Sequence, residues 1–494
     1  MTNPLILAID QGTTSSRAIV FDQHLNAVAS AQQEFEQHFP QPGWVEHDPE
    51  DIWRTTLSTA QAAMQQAEAK GGKVVAIGVT NQRETTLLWD PQTLAPIGRA
   101  IVWQDRRTAD ICGQLKASGA EALIGDKTGL LLDPYFSATK IAWLLDNNEG
   151  ARRGAAEGRV VAGTIDAFLI ARLTGGHHFT DATNASRTSL YNIVDNEWDA
   201  ELCTLFNVPV RCLPEVKDSA DEFGDTLAEH FGRPIPVCSV IGDQQAAATG
   251  QGCAVPGDVK STYGTGCFVL VQTGDELVRS RHRLLTTISR RVNGKTIYAL
   301  EGSIFVAGAA VQWLRDALGI IKDAAETEAI AAGLQDNGGV YLVPAFAGLG
   351  APHWAPDARG VISGLTRGSG REHIVRAALE AVCYQTADLL DAIAADGVTT
   401  GPLRVDGGMV ANDWLLQFMA DICNARVERP SNLETTAIGA AYLAGAHKGI
   451  YGAMSEVFSG GNFDTFQSSI SDDARTKLVG GWRRALARTM DSQE

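Results

Sequence analysis

Turns rich in glycine and hydroxyl side chains follow apolar runs at three places far apart in this chain. They are residues 10–17 (DQGTTSSR), 261–266 (STYGTG) and 405–408 (VDGG). Such turns let backbone N–H and side-chain O–H groups converge on phosphate oxygens, and Asp10 can hold Mg²⁺ through water. A single turn of this kind is more often an ordinary hairpin tip. Three of them, each after an apolar strand, predict an α/β fold with phosphate sites.

The residues around the first turn alternate between strand and helix patterns. Residues 5–9 and 17–21 are apolar and predict a hairpin with a polar tip. Residues 49–69 have helical spacing, with Asp48 as N-cap and Pro49 at the first helical position. The first half of the chain therefore opens with a strand, a turn and a strand, followed by a helix.

The second half of the chain repeats this order. Strands are predicted at 259–262, 268–271 and 403–405, and an amphipathic helix follows the third turn. Two halves that open in the same way predict two similar α/β lobes with a cleft between them. We place these lobes near residues 1–251 and 252–494.

Two common nucleotide-binding motifs are nearly present, but each lacks one required glycine. Residues 294–296 (GKT) end like a P-loop, but Ser289 stands where its first glycine is required. Their position between Val292 and Ile297 predicts a hairpin turn instead. The G-x-G of the second turn does not continue as a dinucleotide motif, because Val269 stands where its third glycine is required.

Charge and hydropathy exclude other classes of function. The chain has 41 lysines and arginines against 58 aspartates and glutamates, and this net charge of −17 repels phosphate backbones and anionic lipid. We therefore expect no nucleic-acid partner and no stable membrane association. No run of 18 apolar residues occurs and the first ten residues lack a leader pattern, so we expect a cytoplasmic protein. The eight cysteines form no C-x-x-C pair and are expected to be reduced packing residues.

The three turns resemble the two phosphate motifs and the adenosine motif of the actin, hexokinase and heat-shock chaperone superfamily. Within it, two long segments resemble signatures of the FGGY family of carbohydrate kinases. They are residues 135–147 (YFSATKIAWLLDN) and residues 360–380, which begin GVISGL. The similarity extends along the whole chain. It implies two ribonuclease-H-like domains of the actin-like ATPase type, with a central catalytic cleft.

Three shorter segments are most similar to the members of this family that phosphorylate glycerol. They are residues 81–86 (NQRETT), 103–108 (WQDRRT) and 242–247 (GDQQAA). This similarity implies ATP-dependent phosphorylation of glycerol to sn-glycerol 3-phosphate by direct in-line transfer, the first step of glycerol catabolism. Members of the family commonly form dimers or tetramers, so a homodimer or homotetramer is also implied.

The resemblance assigns a glycerol site to residues of both halves: Arg83, Glu84, Trp103, Tyr135, Asp243, Gln244 and Phe268. Their chemistry suits a small triol. Polar and charged side chains can donate to and accept from its hydroxyl groups, and the rings of Trp103 and Phe268 can cover its C–H edge.

Asp243 is the candidate catalytic base, at the predicted start of a helix. A carboxylate there can orient an acceptor hydroxyl and take its proton as the bond to the γ-phosphorus forms. By the same resemblance, Mg²⁺ is assigned to Asp10 together with Asp243. ATP and its phosphates are assigned to Thr13, Thr14, Ser15, Arg17, Thr265, Gly308, Gln312, Gly408 and Asn412.

Two other functions remain open from the sequence. One is an FGGY kinase for a pentulose or another polyol. The other is an actin-like or chaperone ATPase that uses the nucleotide as a conformational switch and has no small acceptor. Arg83, Glu84, Trp103 and Asp243 argue against the second alternative, because a switch protein needs no triol pocket.

Residues 229–236 (EHFGRPIP) bear on regulation. Some bacterial relatives bind fructose bisphosphate here through a glycine-rich loop that ends in arginine. This stretch has one glycine, and its two prolines lack N–H donors, so we expect no such site around Arg233. His230 is similar to a histidine that is phosphorylated in some Gram-positive relatives, although its spacing to Asp243 is one residue short and the surrounding motif is incomplete.

Overall fold

In the computed structural model, which describes residues 3–491, the strands form two large sheets and four small ones. The strands are β1 (Asn3–Gln11), β2 (Ser15–Phe21), β3 (Ala27–Glu34), β4 (Glu46–His47), β5 (Gly72–Asn81), β6 (Thr86–Trp89), β7 (Ala100–Ile101), β8 (Val161–Thr164), β9 (Phe179–Asp181), β10 (Tyr191–Asn192), β11 (Glu197–Trp198), β12 (Glu215–Lys217), β13 (Val237–Gly242), β14 (Val259–Tyr263), β15 (Cys267–Gly274), β16 (Leu285–Val292), β17 (Lys295–Ile304), β18 (Tyr341–Val343), β19 (Val361–Ser363), β20 (Leu403–Asp406), β21 (Val427–Pro430) and β22 (Phe463–Phe466).

The helices of the same residues are α1 (Pro49–Glu68), α2 (Ala109–Ala117), α3 (Glu121–Thr128), α4 (Ser137–Asn147), α5 (Ala151–Glu157), α6 (Ile165–Thr174), α7 (Ala182–Ala185), α8 (Ala200–Leu205), α9 (Ala228–Phe231), α10 (Asp243–Gly250), α11 (Gly308–Asp316), α12 (Glu326–Ala332), α13 (Arg371–Ala395), α14 (Asp413–Cys423), α15 (Thr435–His447), α16 (Met454–Val457) and α17 (Asp472–Asp491). None of the helices within residues 3–491 is both long and apolar enough to cross a membrane.

The two large sheets share one arrangement. The first sheet has the order β13-β5-β1-β2-β3, in which β1, β2 and β3 are antiparallel and β5 and β13 run parallel to β1. The second sheet contains β17-β15-β14-β20-β21, in which the first three strands are antiparallel and the last two run parallel to β14. The prediction of an α/β fold built from two similar lobes is confirmed.

Local sequence explains the first sheet and the helix beside it. The Asp48 carboxylate accepts a hydrogen bond of 2.9 Å from the Glu50 N–H, and Pro49 needs no partner at the first helical position. Ile52 and Ala60 are fully buried on the inner face of α1, against the first sheet. The helix predicted at 49–69 is confirmed, with its last residue at Glu68.

Helix α15 packs on the first sheet although it lies in sequence between β21 and β22 of the second sheet. The Ser239 hydroxyl in β13 donates a hydrogen bond of 2.8 Å to the Ala440 carbonyl in α15, 201 residues away. A Cβ atom on Gly78 in β5 would lie 2.4 Å from the same carbonyl oxygen, so only glycine permits this approach. The chain therefore returns to the first sheet near its C-terminal end, and a boundary near residue 251 stays a prediction.

Two smaller expectations are confirmed. All eight cysteines are unpaired and seven are buried, as expected for reduced packing residues. Residues 294–296 lie at the turn between β16 and β17, where Val292 pairs with Lys295, so the GKT sequence is a hairpin and not a P-loop.

Candidate active site

The residues assigned above to the glycerol site are called the acceptor residues below, and they come from elements of both halves of the chain. Arg83 and Glu84 lie in the short connection between β5 and β6, and Asp243 is the first residue of α10. Glu84 has a positive φ of 59°, an unusual backbone conformation for a non-glycine residue that often marks functional sites. Phe268 lies in β15 of the second sheet, so the site is built by both lobes.

An aromatic wall joins the acceptor residues to the first phosphate turn. The Trp103 ring meets the rings of Tyr135 and Phe268 edge-on, with centroids 5.7 and 6.1 Å apart. The Trp103 indole N–H donates a hydrogen bond of 3.0 Å to the Thr13 hydroxyl. The three rings therefore lie together, and Trp103 connects them to Thr13 in the first phosphate turn.

Arg83 is held by a carboxylate that the sequence did not reveal. Its Nη1 and Nη2 atoms donate to the two oxygens of Glu301 in β17, over 2.5 and 3.1 Å. The Gln245 side-chain carbonyl accepts a further bond of 3.2 Å from Nη1. Arg83 Nε lies 3.4 Å from Asp243 Oδ1 and 3.9 Å from Glu84 Oε1. The contact between Arg83 and Glu84 is therefore long, and each residue has a stronger partner elsewhere.

The stronger partner of Glu84 is Arg187, a second residue that sequence reasoning missed. Arg187 Nε donates a hydrogen bond of 2.7 Å to Glu84 Oε1, and Arg187 Nη2 donates one of 2.8 Å to Glu301 Oε1. Burial raises the pKa of the Glu84 carboxyl, an effect that Arg83 and Arg187 oppose. The available signal was Glu301 itself, the only acidic residue of β17, which follows the apolar residues Ala299 and Leu300.

Asp243 faces the cleft. Its side chain keeps 29% of its surface exposed, whereas Arg83 beside it is buried. The preceding Gly242 N–H donates to the Thr183 hydroxyl over 2.9 Å, and the Gln244 N–H donates to Asp243 Oδ1 over 2.7 Å. Burial raises the pKa of Asp243, while Arg83 and Lys260 lower it. The Asp243 carboxylate is thus held by neighbouring backbone groups on one side and exposed to the cleft on the other.

Gln244 has a partner in the second sheet. The Lys260 ammonium in β14 donates a hydrogen bond to the side-chain oxygen of Gln244. Lys260 is fully buried, and burial lowers its pKa while Asp406 and Asp243 raise it. Sequence reasoning missed Lys260, which lies one residue before the second phosphate turn.

Asp10 is the second-last residue of β1, the central strand of the first sheet, and interacts electrostatically with Asp243. Burial raises the pKa of Asp10 to about 7, with Asp243 adding to the rise and Arg17 opposing it. The two carboxylates assigned to Mg²⁺ are therefore close enough to repel one another. Among residues 3–491, no group of three or more histidine, cysteine, aspartate or glutamate side chains is placed to hold a metal ion.

A cavity of about 480 Å³ in the second lobe collects the residues predicted for adenosine and its phosphates. It is lined by Thr265, Gly308, Gln312, Gly408 and Asn412, together with others that include Arg315, Thr327 and Glu328. A Cβ atom on Gly308 would lie 2.6 Å from the Gly264 carbonyl oxygen, so glycine is needed where α11 meets the second turn. The structure brings these five predicted residues together.

The residues of the first turn do not line this cavity. Thr13 and Thr14 lie in the turn from β1 to β2 and Ser15 begins β2, while the Thr13 hydroxyl accepts a hydrogen bond from Trp103. Arg17 forms a two-pronged ion pair with Glu434, with N–O distances of 2.5 and 2.6 Å. Glu434 immediately precedes α15 and was not singled out in the sequence.

Curated relatives match this chain over nearly its whole length. A glycerol kinase from Rhodospirillum centenum is 63% identical over 488 residues, which cover 98% of each chain. A glycerol kinase from Alcanivorax borkumensis is 57% identical, again over 98% of each chain.

Solved structures show the same fold. A glycerol kinase from Plasmodium falciparum, crystallised with ADP, has a TM-score of 0.93 and 39% identity, and covers 99% of this chain and 98% of its own. A xylulose kinase from Lactobacillus acidophilus has a TM-score of 0.88 at 21% identity, which is a likeness of fold.

Two family models cover most of the sequence. The N-terminal domain of the FGGY family of carbohydrate kinases matches residues 5–250, and its C-terminal domain matches residues 259–447. With these two family models and relatives of 57–63% identity along nearly the whole chain, the chain belongs to the FGGY family of carbohydrate kinases.

Proposed function

We propose that this protein transfers the γ-phosphoryl group of ATP to glycerol and releases sn-glycerol 3-phosphate and ADP. The observation that carries the proposal is the acceptor pocket, in which the carboxylates and guanidinium of Asp243, Glu84 and Arg83 face an aromatic wall bonded to the first phosphate turn. A pocket with this mixture of groups suits a small polyol next to a phosphate. The glycerol kinases that share up to 63% of its residues support the choice of glycerol.

Asp243 has the position and exposure that a base requires. Its carboxylate can accept a hydrogen bond from an acceptor hydroxyl and take the proton as the oxygen–phosphorus bond forms. At the same time the bond between the γ-phosphorus and the β-phosphate oxygen breaks, in line with the attacking oxygen. No covalent enzyme intermediate is needed, because Asp243 moves only a proton.

The other acceptor residues orient and enclose the substrate. Arg83 can donate to one hydroxyl and Glu84 can accept from another, since only Oε1 of Glu84 is bonded to Arg187. The rings of Trp103, Tyr135 and Phe268 cover the C–H edge and exclude water. Gln244 lies next to Asp243, where its bond to Lys260 fixes its orientation.

The nucleotide site is proposed to extend across the cleft. Thr265, Gly308, Gln312, Gly408 and Asn412 surround the cavity of about 480 Å³, which suits the adenosine end. Thr13, Thr14, Ser15 and Arg17 are assigned to the phosphates, because the Thr13 hydroxyl already contacts the wall of the acceptor pocket.

Asp10 and Asp243 suit a magnesium ion. Mg²⁺ binds in proteins through one or two carboxylates, with waters and substrate phosphates as its other ligands. Asp243 adds to the rise in the pKa of Asp10, and a bound cation would offset this repulsion between the two carboxylates. When bound, Mg²⁺ neutralises charge on the β- and γ-phosphates.

A panel of acceptors tests the proposed function. ADP release with Mg-ATP is measured with glycerol, dihydroxyacetone, xylulose and other pentuloses, and without an acceptor. We expect ADP to form with glycerol at a kcat/KM far above that of the pentuloses. Equal ADP release without any acceptor would indicate an ATPase switch, and a preference for a pentulose would indicate a different FGGY kinase.

Location and assembly are further parts of the proposal. Eight unpaired thiols suit a reducing compartment, so we place the reaction in the cytoplasm, where ATP is made. A homodimer or homotetramer is proposed because members of the family commonly form dimers or tetramers.

Arg83→Ala is expected to weaken glycerol binding selectively. The variant loses a charge-assisted donor to the acceptor, and such a bond is worth about 1.5–3 kcal/mol, or roughly 10- to 150-fold. Steady-state kinetics should show the KM for glycerol rising by that factor, while the KM for ATP changes less than about threefold. An equal rise in both constants would assign Arg83 a purely structural role.

Fructose bisphosphate at millimolar concentration is expected to leave the activity unchanged. Arg233, the arginine of the corresponding loop, forms a two-pronged ion pair with Glu68 and donates to the Val74 carbonyl over 3.0 Å. His230 contacts the Arg172 carbonyl through Nε2 at 3.0 Å. An anion would therefore have to displace Glu68. Inhibition that titrates with fructose bisphosphate and disappears in Arg233→Ala would contradict this expectation.

A further inference from the structure

Glu301 is a fully buried carboxylate between two guanidinium groups. It lies in β17 of the second sheet, while its partners Arg83 and Arg187 belong to the first lobe. Burial alone raises the pKa of a carboxyl, but Arg187 and Arg83 outweigh that effect and hold the pKa of Glu301 below its usual value. Glu301 is therefore charged, and its charge is shared between the two arginines.

The hydrogen bonds to Glu301 decide where the charge of Arg83 points. Both terminal nitrogens of Arg83 donate to this one carboxylate, over 2.5 and 3.1 Å. Its remaining nitrogen, Nε, stays 3.4 Å from Asp243 Oδ1. A charge-assisted bond between such groups is usually about 2.7–2.9 Å long. Arg83 is thus close to Asp243 without being bonded to it.

The distance between Arg83 and Asp243 affects how well Asp243 can act as a base. A carboxylate engaged by a guanidinium in two strong bonds has its lone pairs occupied, so it accepts a hydroxyl proton poorly. Among the described carboxylates near Arg83, Glu301 is the strongest competitor of Asp243 for the guanidinium group. Glu84 competes less, because it lies 3.9 Å away and is bonded to Arg187. Without Glu301, Asp243 is the nearest carboxylate to which Arg83 can turn.

We propose that Glu301 is a positioning residue: by binding both terminal nitrogens of Arg83, it aims Arg83 at the acceptor and keeps Asp243 free to receive the acceptor proton. The proposal rests on the proposed function. It adds a role for a residue of the second lobe that reaches neither substrate nor phosphate. Since the bonds from Arg83 to Glu301 cross between the lobes, they also fix the position of Arg83, which lies beside Asp243, relative to the second sheet.

Glu301→Gln tests the proposal. A glutamine keeps the shape but removes the charge, so Arg83 is expected to turn to Asp243. We expect the KM for glycerol to rise and kcat to fall, with a combined loss in kcat/KM of about 10- to 100-fold, while the KM for ATP stays within about twofold.

Glu380→Gln is the matched control. Glu380 is also fully buried in the second lobe and also pairs with an arginine, Arg376, over 2.7 Å, but it lies in α13 outside the acceptor pocket. Both variants lose one buried carboxylate charge. We expect Glu380→Gln to share any loss of thermal stability and to keep the native KM for glycerol.

A double variant separates positioning from structure. If Glu301 acts through Arg83, then adding Glu301→Gln to Arg83→Ala changes kcat/KM by less than about threefold, because the effect is already lost. This comparison also holds if Glu301→Gln alone fails to fold, since the double variant removes both charges. Full additivity of the two losses, or an equal rise in the KM for ATP, would overturn the proposal. A wild-type protein inactive on glycerol would instead overturn the proposed function.

Discussion

Asp243→Asn is expected to lower the turnover number with glycerol by about 10² to 10⁴-fold, the usual worth of a general base. Asparagine retains the size and the helix-start position of Asp243 but cannot take a proton from the acceptor. The Gln244 N–H that donates to Oδ1 over 2.7 Å can keep its partner, so the local structure should persist. Steady-state kinetics should show a smaller change in the KM for ATP than in kcat, because Asp10 remains as a carboxylate for Mg²⁺.

Asp48→Asn is the control for this substitution. Asp48 is the N-cap of α1, and asparagine caps a helix as well as aspartate does. The two variants therefore make the same chemical change at the start of a helix, one inside the cleft and one outside it. Turnover near the native value in Asp243→Asn would remove this residue from the mechanism.

Local patterns predicted the elements that depend on neighbouring residues. The hairpin of β1 and β2, the capped helix α1 and the two phosphate turns follow from short stretches of sequence, because apolar periodicity and turn chemistry act over a few residues. The resemblance to the FGGY family then assigned roles to residues of both halves. The structure brings five of these nucleotide residues to one cavity, and it places Trp103 against Tyr135 and Phe268 and Arg83 near Glu84 and Asp243.

Long-range partners were not predictable in the same way. Glu301 lies 218 residues from Arg83, and Arg187 lies 103 residues from Glu84. A charge in a strand shows that a partner must exist, since an unpaired buried charge is costly, but not which residue supplies it. The sequence therefore assigned candidate residues to the acceptor site but missed the residues that hold their side chains in place.

The packing of helix α15 is the clearest example in the fold of a long-range contact that the sequence did not predict. It is apolar on most of its surface, with buried residues along nearly its whole length from Thr435 to Gly445, so no polar face indicates its orientation. Its contacts with β13 and β5 come from small residues such as Ala440 that allow close approach. Complementary shape, and not periodicity, places this helix on the first sheet.

Gly439→Ala is expected to destabilise the protein by about 3 kcal/mol, at the upper end of overpacking effects. A Cβ atom on Gly439 would lie 1.9 Å from the Ala246 carbonyl oxygen in α10, and one on Gly250 would lie 1.9 Å from the Thr435 carbonyl in α15. The two helices thus touch backbone to backbone at both glycines. In a lobe of about 250 residues, this loss lowers the midpoint of thermal unfolding by roughly 6–12 °C.

Gly113→Ala makes the same change where there is room. Gly113 is exposed in α2, and a Cβ atom there meets nothing within 4 Å, so alanine should stabilise by about 0.5–1 kcal/mol. In Gly439→Ala, relieving the clash has to push α10 away by about 1 Å, and α10 begins at Asp243. A misplacement of that size costs on the order of 10²-fold in rate, so turnover should fall together with stability. Equal melting temperatures for the two variants would show that α15 does not pack against α10 in this way.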